Sequence, residues 1–146
     1  MKKLSFMTLL VLGAASAVQA GELVVTPASS EAKSGMYEVA LDLATDGDVS
    51  GFNFLLKLPE LKEGAVDTSK CLAQLPKGWS GACNHTKDGV YFFAMANGSE
   101  TLQAGIAPLG SVLVPTLAKS GGVSVEHLVL ADVNGDAIQS RAEIAQ

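Results

Sequence analysis

Val49-Ser50-Gly51-Phe52-Asn53-Phe54-Leu55-Leu56-Lys57-Leu58-Pro59 is the stretch whose reading decides the fold. From Phe52 onward every second residue is large and apolar: Phe52, Phe54, Leu56 and Leu58. Asn53 and Lys57 take the other side. A period of two belongs to a strand with one buried face; a helix repeats every three to four residues or so. Two phenylalanines and two leucines pointing one way need a second apolar layer over them. Pro59 ends the run, because it has no N–H to give to a ladder.

The neighbouring stretches repeat the pattern. Met36 to Ala44 alternates, with Tyr37, Val39, Leu41 and Leu43 on one side and Glu38 and Asp42 on the other. Thr45-Asp46-Gly47-Asp48 between the two runs is turn chemistry. Leu23-Val24-Val25-Thr26 is a short β-prone run stopped by Pro27. Asp88-Gly89 and Asn97-Gly98 bracket Val90 to Ala96, and both dipeptides signal two-residue hairpins of type I′. They predict a meander of residues 85–87, 90–96 and 99–102. Within its middle strand Val90, Phe92, Ala94 and Ala96 share one face, and Tyr91, Phe93 and Met95 share the other. Both faces are apolar, so this strand is either central or carries a binding surface.

Gly105 to Gly110 reads as a loop around Pro108, Ser111 to Leu117 as a strand, and Val123 to Ala131 as another. A turn at residues 132–136 leads to a last short segment, Ala137 to Ile144. Leu61 to Ala82 is the least regular part and holds the only tryptophan, Trp79. No stretch has convincing helical amphipathicity, and no internal repeat is present. About eight to nine short strands separated by turn signals predict an all-β antiparallel sandwich.

The chain has 146 residues with a net charge of −5 and two cysteines. Its start reads as an export signal: basic Lys2-Lys3, an apolar run from Leu4 to Gly13, then Val18-Gln19-Ala20 with small residues at the cleavage position. The expected division is a signal peptide over residues 1–20 and one domain over 21–146. Without Lys2 and Lys3, eight basic residues face fifteen acidic ones, a net charge of −7. The acids are scattered. A chain with no basic patch is a poor partner for nucleic acid or an anionic membrane. The short basic leader looks bacterial, which places the product in the periplasm or outside the cell, with no membrane insertion of the mature form. In an exported protein the pair Cys71 and Cys83 is expected to form a disulfide.

Catalysis has no supporting cluster. His85 and His127 stand in no nucleophile or metal spacing. Asp132, Asn134, Asp136 and Glu143 fall at positions one, three, five and twelve of a calcium loop. Position six is Ala137 where a glycine is wanted, and the preceding residues are β-rich. Asn134-Gly135 explains the same stretch as a hairpin turn, so no metal is expected and calcium is only the alternative. Trp79, Tyr91 and Phe93 are the candidate binding residues, since sugar rings and protein partners both use exposed aromatics. No catalytic residue and no cofactor is expected.

Three stretches carry a family resemblance. Val49 to Leu56 resembles the V-x-G-F-x-F-x-L strand of cohesin-like domains. Gly105 to Leu117 looks like the family's later G-x-L strand. Val129-Leu130-Ala131-Asp132-Val133-Asn134-Gly135-Asp136-Ala137-Ile138 is similar to its closing L-x-D-x-N-G-x-x-I turn. The three occur in the family's order and span most of Leu23 to Ile144. The resemblance implies a jelly-roll sandwich, shared with some cellulose-binding modules. It implies a non-enzymatic module that holds a dockerin-like protein partner through one sheet face, with a carbohydrate-binding module of polysaccharide breakdown as the alternative.

Secretion from a bacterial host is expected to yield a chain that begins at Gly21. Amino-terminal sequencing or intact mass of the exported product checks this, and a product retaining Met1 would remove the leader.

Overall fold

The computed structural model describes residues 20–33, 35–58, 65–115 and 122–145. The expected leader lies outside these residues except for Ala20, which opens the first strand. Eight strands follow: β1 Ala20–Lys33, β2 Met36–Thr45, β3 Gly51–Lys57, β4 Trp79–Thr86, β5 Gly89–Ala96, β6 Gly105–Val114, β7 Ser124–Ala131 and β8 Ala137–Ile144. They form one curled sheet in the order β4-β5-β3-β7-β8-β1-β2-β6. The link between β7 and β8 is only two pairs deep, Leu130 with Ile138 and Ala131 with Ala137. The sheet folds over at that corner into two four-stranded layers, a jelly-roll β-sandwich.

The alternating residues meet between the layers. Phe52, Phe54, Leu56, Val90, Phe92, Ala94 and Leu130 come from one layer, and Leu23, Val25, Val39, Leu41, Leu43, Leu109, Val112, Val114 and Ile138 from the other. Phe54 stacks on Phe92 with ring centroids 4.5 Å apart. Each fully buried Phe or Leu contributes about 2–3 kcal/mol relative to exposure.

The structure changes several local readings. β1 runs through Pro27 instead of stopping there. Its pairing with β8 ends at Val25 with Ile144, so the missing N–H of Pro27 falls beyond the part of β1 flanked by β8. That pairing is parallel, the one parallel ladder among otherwise antiparallel neighbours. A parallel pair needs a long connection, and here almost the whole domain separates the two strands.

Residues 105–110 are strand rather than loop, because β2 pairs along them with an irregularity that leaves Leu109 between Gly110 and Pro108. A Cβ on Gly110 would lie 2.3 Å from the Cys71 carbonyl oxygen, so only glycine fits where the preceding loop crosses. Of the expected meander only the first hairpin forms. Its turn is Lys87-Asp88, and neither has positive φ, so it is not type I′. After Asn97 the chain leaves the sheet, and Leu102 is buried as a loop residue.

Cys71 and Cys83 are bridged. The loop carrying Cys71 lies along β6: Asp67 and Leu113 exchange both backbone hydrogen bonds, Ser111 N–H donates to Lys70 C=O, and Gln74 N–H donates to Leu109 C=O. The disulfide ties that loop to β4. The two outermost strands of the curled sheet are thereby linked through one covalent clasp, which contributes roughly 3 kcal/mol in the chain-entropy model.

Phe54→Ala empties the centre of the core and is expected to cost about 3–5 kcal/mol. A urea titration checks it, with the midpoint falling and the slope unchanged.

Candidate functional site

The outer surface of the β4-β5-β3-β7 layer carries four of the six exposed large apolar side chains among the described residues; Ile106 on β6 and Val133 in the turn after β7 are the other two. Strand registers place these four in rows. Ala82, Phe93, Asn53 and Val129 lie side by side across the four strands. Ser80, Met95, Gly51 and Ala131 form the next row, and Asn84, Tyr91, Leu55 and Glu126 the row on the other side. Tyr91, Phe93, Met95 and Val129 are 44%, 51%, 49% and 45% exposed. A large apolar residue half in water on a regular strand gains only part of what burial would give, so four together mark a surface with another use.

The middle column gives this surface relief. Gly51 and Asn53 stand low between β5 and β7, and a shallow hollow of about 140 Å³ opens there, bordered by Phe93, Met95, Val129 and Ala131. Leu55 is buried beside Tyr91 although it points outward. The rim is polar. Lys57 Nζ lies 3.6 Å from Glu126 Oε2, and His127 Nε2 lies 3.8 Å from Glu126 Oε1. Ser80 Oγ donates to Asn97 Oδ1 at 2.8 Å. These exposed pairs add little stability.

β7 carries an extra residue here. Asn53 faces Val129 while Leu55 faces Glu126, so three steps on β7 match two on β3. His127 takes the slack with φ of 57°, the only positive φ outside glycine among the described residues. Such a bulge bends the strand and re-aims its side chains. It lets Glu126 and Val129 both face outward while Val125 and Leu128 pack against the core.

The sequence candidates separate. Tyr91 and Phe93 come together on β5. Trp79 does not join them. It occupies the inward register of β4, packs against the core and approaches Phe52 at 6.2 Å between ring centroids. Its place follows from β4 parity, because Ser80, Ala82 and Asn84 hold the outward positions. Met95 shares the outward alternation of β5. Val129 was hidden in the run Leu128-Val129-Leu130, where no polar neighbour marks a face.

The alternative calcium set does not converge. Asp132 Oδ1 accepts from the N–H groups of Asn134 and Asp136 at 2.9 and 3.0 Å, which closes the turn from within. Gly135 supplies the positive φ. Glu143 lies seven residues beyond Asp136 along extended β8, about 20 Å away by strand rise. Among the described residues no group of three His, Cys, Asp or Glu side chains has a metal-holding arrangement. No described helix is long and apolar enough to cross a membrane.

A larger concavity of about 600 Å³ lies on the opposite layer, between the start of β1, the end of β2, the start of β6 and β8. Its walls are mostly small residues; of its charged members Glu22, Asp46 and Arg141, Glu22 and Arg141 pair with each other at 2.9 Å. It holds no aromatic side chain.

No protein-family model matches the sequence, and no curated protein matches it. Solved structures do match in fold. One is the cohesin CaCohA2 from its complex with a CaDoc0917 variant, at 14% identity and a TM-score of 0.57, covering 86% of this chain and 98% of that one. Another is the OlpC cohesin of a type I cohesin–dockerin complex from Clostridium thermocellum, at 13% identity and 0.54, covering 85% and 89%. A third is a cohesin module of a family 33 glycoside hydrolase from Clostridium perfringens, at 9% identity and 0.51, covering 86% and 98%. The chain has a cohesin-like fold.

The two faces of β4 and β5 make opposite demands. Trp79→Ala is expected to cost about 3 kcal/mol through lost core packing. Phe93→Ser is expected to leave stability within about 0.5 kcal/mol, because its ring already meets water. Paired thermal melts check the contrast.

Proposed function

We propose that this chain is an exported, non-enzymatic binding module that holds a protein partner on the outer face of the β4-β5-β3-β7 layer. The observation that carries the reading is the ordered apolar grid of Tyr91, Phe93, Met95 and Val129 around the Gly51–Asn53 hollow. Rigid aromatics in a regular array anchor protein partners at small entropic cost, and a polar rim of Asn84, Ser80, Lys57, Glu126 and His127 excludes water around them. The cohesin-like fold favours a dockerin-like partner, since two of the matched structures are cohesin–dockerin complexes. Export is supported by the leader pattern and by a formed disulfide, which persists in oxidising compartments.

A polysaccharide platform has less support. It asks for a row of exposed aromatic faces, and with Trp79 turned inward the surface keeps only Tyr91 and Phe93.

The test uses the immobilised protein and its native secretome. The wild type is expected to retain a partner that Phe93→Asp loses by about 2 kcal/mol or more, with both proteins melting alike. Soluble glycans are expected to leave Trp79 fluorescence unchanged. Recovery of polysaccharide alone, or retention of the partner by Phe93→Asp, would overturn the reading.

A further inference from the structure

The bond at which the leader is expected to be cut lies inside the sheet. Ala20 pairs with Gln139 and Gly21 with Ser140 along β8, and Gly21 also pairs with Thr45 on β2. β1 is the interior strand between those two. No linker separates the cleavage position from the first strand. The residue before the cut opens β1, and the residue after it is already flanked on both sides.

The backbone directions show how the bond is held. The Ala145 N–H donates to the Val25 C=O, so Val25 turns its polar groups toward β8. Successive residues of a paired strand turn theirs to opposite sides. The register of β1 on β2 is unshifted from Gly21 to Pro27. Gly21, four residues before Val25, therefore faces β8, and Ala20 faces β2. The scissile peptide points its carbonyl oxygen at one neighbour and its N–H at the other.

The residues after the bond are fixed as well. Gly21 is buried, and a Cβ there would overlap Leu130 Cδ1 in the core. Glu22 Oε2 lies 2.9 Å from Arg141 Nη2, and Leu23 is fully buried. The Ala20 side chain does reach solvent, at the rim of the larger concavity. A peptidase, however, needs several residues around the bond extended and with their main chain free. To supply them β1 must withdraw Gly21, Glu22 and Leu23 from both neighbours. Folded chains are cut at exposed loops or after local opening, not within a paired interior strand.

We infer that leader removal competes with the closing of β1 into the sheet, so that only a chain cut before β1 closes is released. The inference rests on the export reading with a leader ending at Ala20; it is independent of the partner-binding face. Hydrolysis adds water across the Ala20–Gly21 amide and leaves a carboxylate on Ala20 and an ammonium on Gly21. The hydrolase is of the signal peptidase class, which accepts small residues at this position. A chain that folds first keeps the apolar run from Leu4 to Gly13, and with it an attachment to the membrane. Topology leaves time for the cut. β8 ends at Ile144, so β1 gains its second neighbour only when nearly the whole chain has been exported. Pairing across that sequence distance is slow. The ratio of released to tethered protein is then set by the rate of cleavage against the rate of folding.

The test uses the full-length chain and purified signal peptidase in detergent. The chain is diluted from urea into the peptidase either at once or after refolding is complete, and intact mass reads the product. The chain diluted at once is expected to be cut between Ala20 and Gly21. The refolded chain is expected to be cut about a hundredfold more slowly, in proportion to its open fraction. A second protein carries about ten Gly and Ser residues inserted between Ala20 and Gly21, a flexible spacer that moves the bond out of the sheet. Its refolded form is expected to be cut as fast as the unfolded wild type. A refolded wild type cut as fast as the refolded spacer protein would overturn the inference and leave the export reading standing. So would a refolded spacer protein as resistant as the wild type while the unfolded chain is cut, because the paired strand would not then be the cause. If even the unfolded chain is not cut at Ala20–Gly21, the leader reading fails and the inference with it.

Discussion

Phe54 faces Phe92 across the β3–β5 ladder, and that one register decides both the core and the surface. A strand's side chains alternate strictly, so a slip of one residue would send Phe93 inward and Phe92 to solvent. β5 on its own is indifferent, since Val90, Phe92 and Ala94 are as apolar as Tyr91, Phe93 and Met95. β3 is not indifferent. Its inward side offers Phe52, Phe54 and Leu56, and its outward side Gly51, Asn53, Leu55 and Lys57, with a single large apolar residue. Pairing β5 against β3 therefore commits Phe92 to the core and leaves Phe93 beside Asn53. The candidate site is the residue of that choice, the apolar side for which the core had no room.

Closure of the sandwich follows a second constraint. A sheet curled into two layers brings its ends, β4 and β6, to the same flank, where the interior needs a wall. The loop before β4 makes that wall by bonding along β6, and Cys71 joins it to Cys83 on β4. Gly110 and Gly81 are where this arrangement leaves no space for a side chain. The same loop bonds along β6 and is tied covalently to β4.

Much of the fold was legible because it is written in periods. Phe52 to Leu58 and Met36 to Ala44 alternate over several residues, and nothing but a half-buried strand explains them. The turns at Gly47 and at Asn134-Gly135 carry glycines with positive φ, as their surroundings require. The misreadings were local and share a cause. Pro27 and Pro108 look like strand breakers in one dimension, but β1 runs past its β8 partner before Pro27, and β6 lies at an edge with an irregular register. Asn97-Gly98 looks like a hairpin, yet Asn97 Oδ1 instead accepts a hydrogen bond from Ser80 Oγ and its N–H donates to the Gly78 carbonyl.

The sequence by itself determined the class of architecture, the central place of β3, the partnership of the two cysteines and the presence of surplus aromatics. These depend on composition and spacing along the chain. The tertiary structure alone decided that Trp79 turns inward while Phe93 turns outward, that β1 lies parallel to β8, and that Val129 joins the exposed grid through the bulge at His127. Each of these is set by which strand lies alongside and in what register. That information belongs to pairs of distant residues, and no single stretch of the chain contains it.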